Sequence, residues 1–145
     1  MEQNIADGIR ARELLATGEY TCVLCRGEDC FTTTLRGVKP LVSWLDSGMD
    51  LAGCSAADKV VGKATAYLYQ LLGVKSVYAQ VMSQGAAEVL AKAGIETSWD
   101  RLVPNIINRK GDGICPFELA VGHCAEPAEA RATIYQKMEE MGISR

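Results

Sequence analysis

The stretch "KSVYAQVMS", residues 75–83, constrains the fold most. It is rich in valine and aromatic residues and too continuous for a surface strand, so it predicts an inner strand of a sheet. "GAAEVLAKAG" then reads as a short helix closed by Gly94. "IETSWDRLVP" reads as another strand, weakened where Asp100 and Arg101 interrupt it.

Upstream, "YTCVLCRGEDCFTTTL" is a pair of β-rich runs around Gly27-Glu28, the pattern of a hairpin. A two-residue turn there sets Arg26 opposite Asp29 and Cys25 opposite Cys30. It also puts Tyr20, Cys22, Leu24, Phe31, Thr33 and Leu35 on one face, the face expected to be buried.

The helices follow from spacing and punctuation. Residues 3–17 repeat Ile5, Ile9, Arg12 and Leu15 at helical intervals and stop at Gly18. "GVKPLVSWLDSG" predicts a short helix with Pro40 in its first turn. "SAADKVVGKATAYLYQLLG", residues 55–73, reads as the most apolar helix in the chain. Ser55 and Asp58 would be its capping pair, Val60, Ala64, Leu68, Leu71 and Leu72 its core stripe, and Gly73 its end. Lys59 and Lys63 then sit one turn apart, where like charges repel by roughly 0.2–0.5 kcal/mol unless solvated or balanced by an anion. Gly62 inside this helix costs about 1 kcal/mol relative to alanine, which points to a strand, loop or ligand approaching closely. "NIINRKGDGI" is a loop, "CPFELAVGH" a helix with Pro116 at its first position, and "PAEARATIYQKMEEMG" a last helix.

A hairpin followed by alternating strands and helices defines an α/β fold: a three-layer α/β/α sandwich with a mixed sheet of about four or five strands. The 145 residues are expected to form one domain, with an N-terminal helix at 3–17, a core over about 20–122 and a C-terminal helix at 127–142. A net charge of -3 lacks the one-sided basic footprint of a nucleic-acid binder. The N-terminus lacks the basic start and apolar run of a signal peptide. No apolar stretch reaches the ~18 residues of a membrane span. A cytoplasmic protein without membrane or nucleic-acid partners is expected, its six cysteines mostly reduced.

Cys22 and Cys25 have the two-residue spacing of a zinc-ligand pair, but on a strand they point to opposite faces. No metal site and no cofactor are therefore expected. Cys25 and Cys30 are near enough across the hairpin for a redox-sensitive disulfide, although a reducing compartment favours two thiols. His123, the single histidine, lies eight residues from Cys115. On one helix that is about 12 Å, too far for a thiol–base dyad, and His123 is expected to cap carbonyls at a helix end. Cys115 precedes Pro116 at an apparent helix start, a place that attracts anions and activates thiols. "NRKGDGICPFE" gathers Asn108, Arg109, Lys110, Asp112 and Glu118 around two glycines. Such a loop can present N–H groups and side chains to a carboxylate or phosphate, although it is neither a Walker loop nor a dinucleotide fingerprint.

"ADKVVGKATAYL", "GVKSVYAQVMSQGAAEVLAKAGI" and "LVPNIINRKGDGICPFE", in this order, resemble the domain of unknown function 1893 family, which has a cytidine-deaminase-like fold. The resemblance covers about residues 20–122. It implies a pocket where two core helices begin at one sheet edge. Zinc deaminases hold their metal there with H-x-E on one helix and P-C-x-x-C on the next. Here the first slot falls near Asp58, Lys59 and Val60, and the second on Ser83, Gln84, Gly85, Ala86 and Ala87. Both lack the ligands and the glutamate acid/base, so zinc-dependent deamination is not expected.

The expectation is instead a small anionic metabolite or nucleotide in the emptied pocket, with Asp58, Lys59, Lys63, Ser83, Asn108, Arg109, Cys115 and Glu118 as the candidate site. Lys59 and Lys63 would supply charge, Arg109 would reach in from the loop, and Asp58 and Glu118 would orient polar groups. The alternatives are a metal-independent enzyme using Cys115 as nucleophile or Asp58 as acid/base, and an interaction module that dimerises through the sheet edge or terminal helix.

Overall fold

The hairpin turn sets the register of the first two strands. Gly27 takes a φ of 61°, which suits the first central position of a two-residue hairpin turn. It joins β1 (Cys22–Arg26) to β2 (Asp29–Thr33) with Cys25 opposite Cys30 and Arg26 opposite Asp29, as the turn spacing predicts. The computed structural model describes the backbone of residues 2–145 and the side chains from residue 5 onward.

Around the hairpin the chain runs α1 (Glu2–Thr17), β1, β2, α2 (Lys39–Asp46), β3 (Ser55–Val61), α3 (Lys63–Leu72), β4 (Ser76–Ser83), α4 (Gln84–Lys92), β5 (Glu96–Val103), α5 (Pro116–Ala120) and α6 (Pro127–Glu140). The five strands form one sheet in the order β2-β1-β3-β4-β5. β1 is antiparallel to both β2 and β3, while β3, β4 and β5 are parallel. One face is covered by α1, whose Ala11 and Leu15 pack on Val23, Cys25 and Ala57. The other carries the larger core, where Leu24, Ala56, Val77 and Met82 meet Leu68, Tyr69, Leu90, Phe117 and Ile134 from the helices. This is a mixed open sheet with helices on both sides. Among the described residues no helix is long and apolar enough to cross a membrane.

Three expectations change. The predicted helix over 55–73 is two elements, β3 and then α3. Ser55, Ala56 and Ala57 are all buried, because β3 is covered on both faces. Small residues fill both sides, so the alternation that marks a strand is missing and alanine's helix propensity dominates the pattern. Ser55 and Asp58 are therefore strand residues paired to Cys25 and Cys22, not a helix cap. Lys59 lies on β3 and Lys63 is the first residue of α3, so the two are not one turn apart on a helix. Val60, expected in the core, is 44% exposed.

The hairpin is also buried on two faces at β1. Cys22 and Leu24 lie in the larger core, and Val23 and Cys25 lie under α1, whereas Leu35 is exposed. Cys22 and Cys25 do point to opposite faces. The Cys25 and Cys30 sulfurs stand 2.8 Å apart as unbonded thiols. Burial, together with the bond to Cys30, pushes the Cys25 thiol up to about 12, which keeps it protonated at neutral pH. Finally, α5 ends at Ala120, so His123 sits in the turn beyond it rather than on a helix shared with Cys115.

One irregularity shapes the carboxyl edge of the sheet. Ala56 and Val61 both face the larger core although five residues separate them, and Val77 and Met82 repeat this on the next strand. The in–out alternation thus slips by one residue in both strands, and Val60 and Val81, neighbours in register, turn outward.

Candidate functional site

β3 and β4 lie side by side and parallel, so the helices that follow them start at the same edge of the sheet. Each start leaves backbone N–H groups without partners inside the helix and a partial positive charge. At α4 the N-cap is Ser83, fully buried, whose Oγ accepts from Ala86 N at 3.1 Å. At α3 the N-cap is Gly62, in extended conformation, with no side chain to offer.

The missing acceptor arrives from α5. Glu118, only 9% exposed, places its carboxylate between the two helix starts. Its Oε1 accepts from the Lys63 backbone N–H and, at 3.2 Å, from the Ser83 hydroxyl; its Oε2 accepts from Ile106 N at 3.0 Å. A Cβ on Gly62 would lie 2.8 Å from Glu118 Oε1 and 3.1 Å from Ile106 Cγ1. The close approach that Gly62 suggests is therefore made by the chain's own glutamate. Lys63 Nζ points elsewhere, donating to the Gly122 carbonyl at 3.1 Å above the Tyr67 ring.

Of the predicted site residues, the structure brings Lys63, Ser83 and Glu118 together. Cys115, half-buried at the N-cap of α5, contributes a backbone bond to Ile106 O at 2.8 Å. Asn108 is engaged inside its own loop, bonded to Asp112 at 2.9 and 3.2 Å, and Arg109 beside it is exposed. Lys59 is exposed on β3.

Asp58, half-buried, belongs to a separate group with the buried Tyr69 and Cys22. Tyr69 OH donates to Asp58 Oδ2 at 2.6 Å, Val60 N donates to Oδ1 at 3.3 Å, and the Cys22 sulfur lies 3.0 Å from the same hydroxyl. Burial pushes the Asp58 carboxyl up to about 6, overriding the Tyr69 bond that favours its charged form. Burial, reinforced by the Asp58 charge, also holds the Tyr69 hydroxyl and the Cys22 thiol well above their ordinary values.

Beside the Glu118 cluster lies a hollow of about 350 Å³ at the carboxyl ends of the parallel strands. Val60, Val81 and Arg101, in register across β3, β4 and β5, make its floor. Val103 to Ile107 make its rim, and Ile106 is the residue whose N–H Glu118 holds. Sequence reasoning misses this place. Arg101 reads as an interruption of a strand, and Val60 as core, because the slip in alternation has no local signature. A second hollow of about 470 Å³ lies between α6 and the C-terminal residues, remote from the helix starts in the chain.

These features define an α/β domain whose two central helix starts close on an internal carboxylate. The chain belongs to the family described as "TM1506: Domain of unknown function (DUF1893)", whose model matches residues 10–138. It is similar to the crystal structure of a DUF1893 family protein (TM1506) from Thermotoga maritima, with a TM-score of 0.81 and 25% identity, over 90% of each chain. No curated protein matches it.

Two predictions follow from the buried acids. Glu118→Ala leaves two backbone donors and a hydroxyl without their acceptor; at about 1–3 kcal/mol for each unsatisfied group, a loss of about 3 kcal/mol or more in urea unfolding is expected. Gly62→Ala is expected to cost about 1–3 kcal/mol by crowding that carboxylate. The double variant should lose less than the sum, and strict additivity would show that the two positions do not meet.

Asp58 keeps its proton to a higher pH in the folded chain, about 6, than its ordinary 3.8. The folded state therefore binds more protons between these values. The stability this group contributes is fully present below the lower value and lost as pH rises through the upper one. Asp58→Asn should flatten this part of the stability–pH profile, measured by urea unfolding from acid to neutral pH. Unchanged slopes would remove Asp58 as the source.

Proposed function

We propose that the chain is a binding domain for a small anionic metabolite of the nucleotide class, on a cytidine-deaminase-like sandwich whose two helix starts carry no zinc ligands. The observation that carries this reading is the row Val60, Val81 and Arg101 on the floor of the hollow. Open α/β sheets bind ligands outside the carboxyl ends of their strands. The valine, proline and isoleucine lining suits the face of a flat apolar ring. The Arg101 guanidinium can take a phosphate or carboxylate through two parallel hydrogen bonds.

The other candidate residues divide between contact and frame. Lys59 precedes Val60 on β3, and Asn108 and Arg109 follow Ile107 at the rim, so these serve the outer part of the ligand. Lys63, Ser83 and Glu118 serve as frame, with Cys115 tying Ile106 from its other side. Asp58 supports the floor through the Val60 N–H.

A thermal-shift screen against nucleoside mono- and diphosphates tests the reading. At least one is expected to raise Tm. Arg101→Gln is expected to weaken that ligand by about ten- to hundredfold, since a charge-assisted bond contributes about 1.5–3 kcal/mol. No response to any nucleotide, or equal binding by Arg101→Gln, would overturn it.

A further inference from the structure

The connection between α5 and α6, with the first turn of α6, holds an imidazole, a thiol and a carboxylate that neither the Glu118 cluster nor the hollow uses. We propose that His123, Cys124 and Glu129 form a binding site for a thiophilic divalent cation, zinc foremost, with a fourth position left to water. One ligand atom from each lies within 4.8 Å of the others. In a tetrahedral zinc site, bonds of about 2.0–2.3 Å put ligand atoms roughly 3.3–3.8 Å apart. The remaining contraction is about 1 Å. His123 and Glu129 are exposed and Cys124 is buried, so the sulfur supplies the fixed point and the exposed side chains close the remaining distance.

The backbone that carries these groups is held independently of any ion. Tyr67 OH donates to the Cys124 carbonyl at 2.8 Å, and Cys124 N donates to Val121 O at 2.9 Å. Glu129 Oε1 accepts from Ala125 N at 3.1 Å, which folds the glutamate back over the connection from the first turn of α6. The Cys124 thiol donates to the Thr133 hydroxyl oxygen at 3.6 Å, and that hydroxyl donates to the Glu129 carbonyl at 2.9 Å, which ties the sulfur to the start of α6. The donor chemistry selects the metal. Thiolate with imidazole favours zinc, cobalt or copper over magnesium and calcium, which prefer oxygen alone. On binding, the Cys124 proton leaves to solvent and the sulfur coordinates as thiolate.

Cobalt(II) titration of the full chain, followed by near-ultraviolet and visible absorption, reads the thiolate directly. One equivalent is expected to give a sulfur-to-cobalt charge-transfer band that zinc displaces. Cys124→Ser should abolish the band. His123→Ala changes an exposed residue, so the fold should tolerate it, and it should weaken zinc at least tenfold. A wild type without the band, a band that survives Cys124→Ser and so belongs to another thiol, or zinc affinity unchanged in His123→Ala would overturn the assignment.

Discussion

A single buried carboxylate organises the edge of the sheet where its two central helices begin. Two helices begin side by side, and each presents backbone donors and the positive end of its dipole to the same small volume. A dry anion between them is favourable only if its oxygens are saturated with hydrogen bonds. Glu118 meets that condition with Lys63 N, the Ser83 hydroxyl and Ile106 N. One side chain thereby joins α3, α4 and the loop that follows β5. Gly62 is the complement of this arrangement, since any larger residue there would displace the carboxylate.

Next to the cluster, a change of phase in the sheet creates the accessible surface. With strict alternation, Val60 and Val81 would face the larger core and Val61 and Met82 would face outward. The slip reverses this, burying Val61 and Met82 and turning Val60 and Val81 toward Arg101. Glu118 then fixes the rim through Ile106. The sealed cluster and the open hollow are thus neighbours of different character: the first fixes positions, and the second has an apolar floor with Arg101 at its side.

The parts legible in the sequence were those governed by local rules. The hairpin register, the opposed Cys25 and Cys30, β4, α4 and the close approach at Gly62 follow from turn length, valine content and glycine placement. β3 was not legible, because Ser55, Ala56 and Ala57 are strand residues only by virtue of strands and helices that cover them on both sides. The family resemblance located two helix starts but put the first a few residues early, at Asp58 to Val60, within that misread strand. Lys63, Ser83 and Glu118 were named as ligand contacts. That Glu118 would itself occupy the space between the helix starts depends on a contact spanning 55 residues, for which spacing carries no signal.

That long span ties the sheet to a part of the chain outside it. The sheet pairings from β1 to β5 involve residues up to Val103, and Glu118 lies beyond them all. It supplies the acceptor for the Lys63 amide at the first turn of α3 and a second partner for Ser83, whose Oγ already caps α4 through Ala86 N. Loop-closure entropy grows slowly, about 0.6 kcal/mol per doubling of length, so a contact this distant costs little more than a nearer one. A chain cut before Glu118 would keep the residues of all five strands and lose the acceptor at the start of α3.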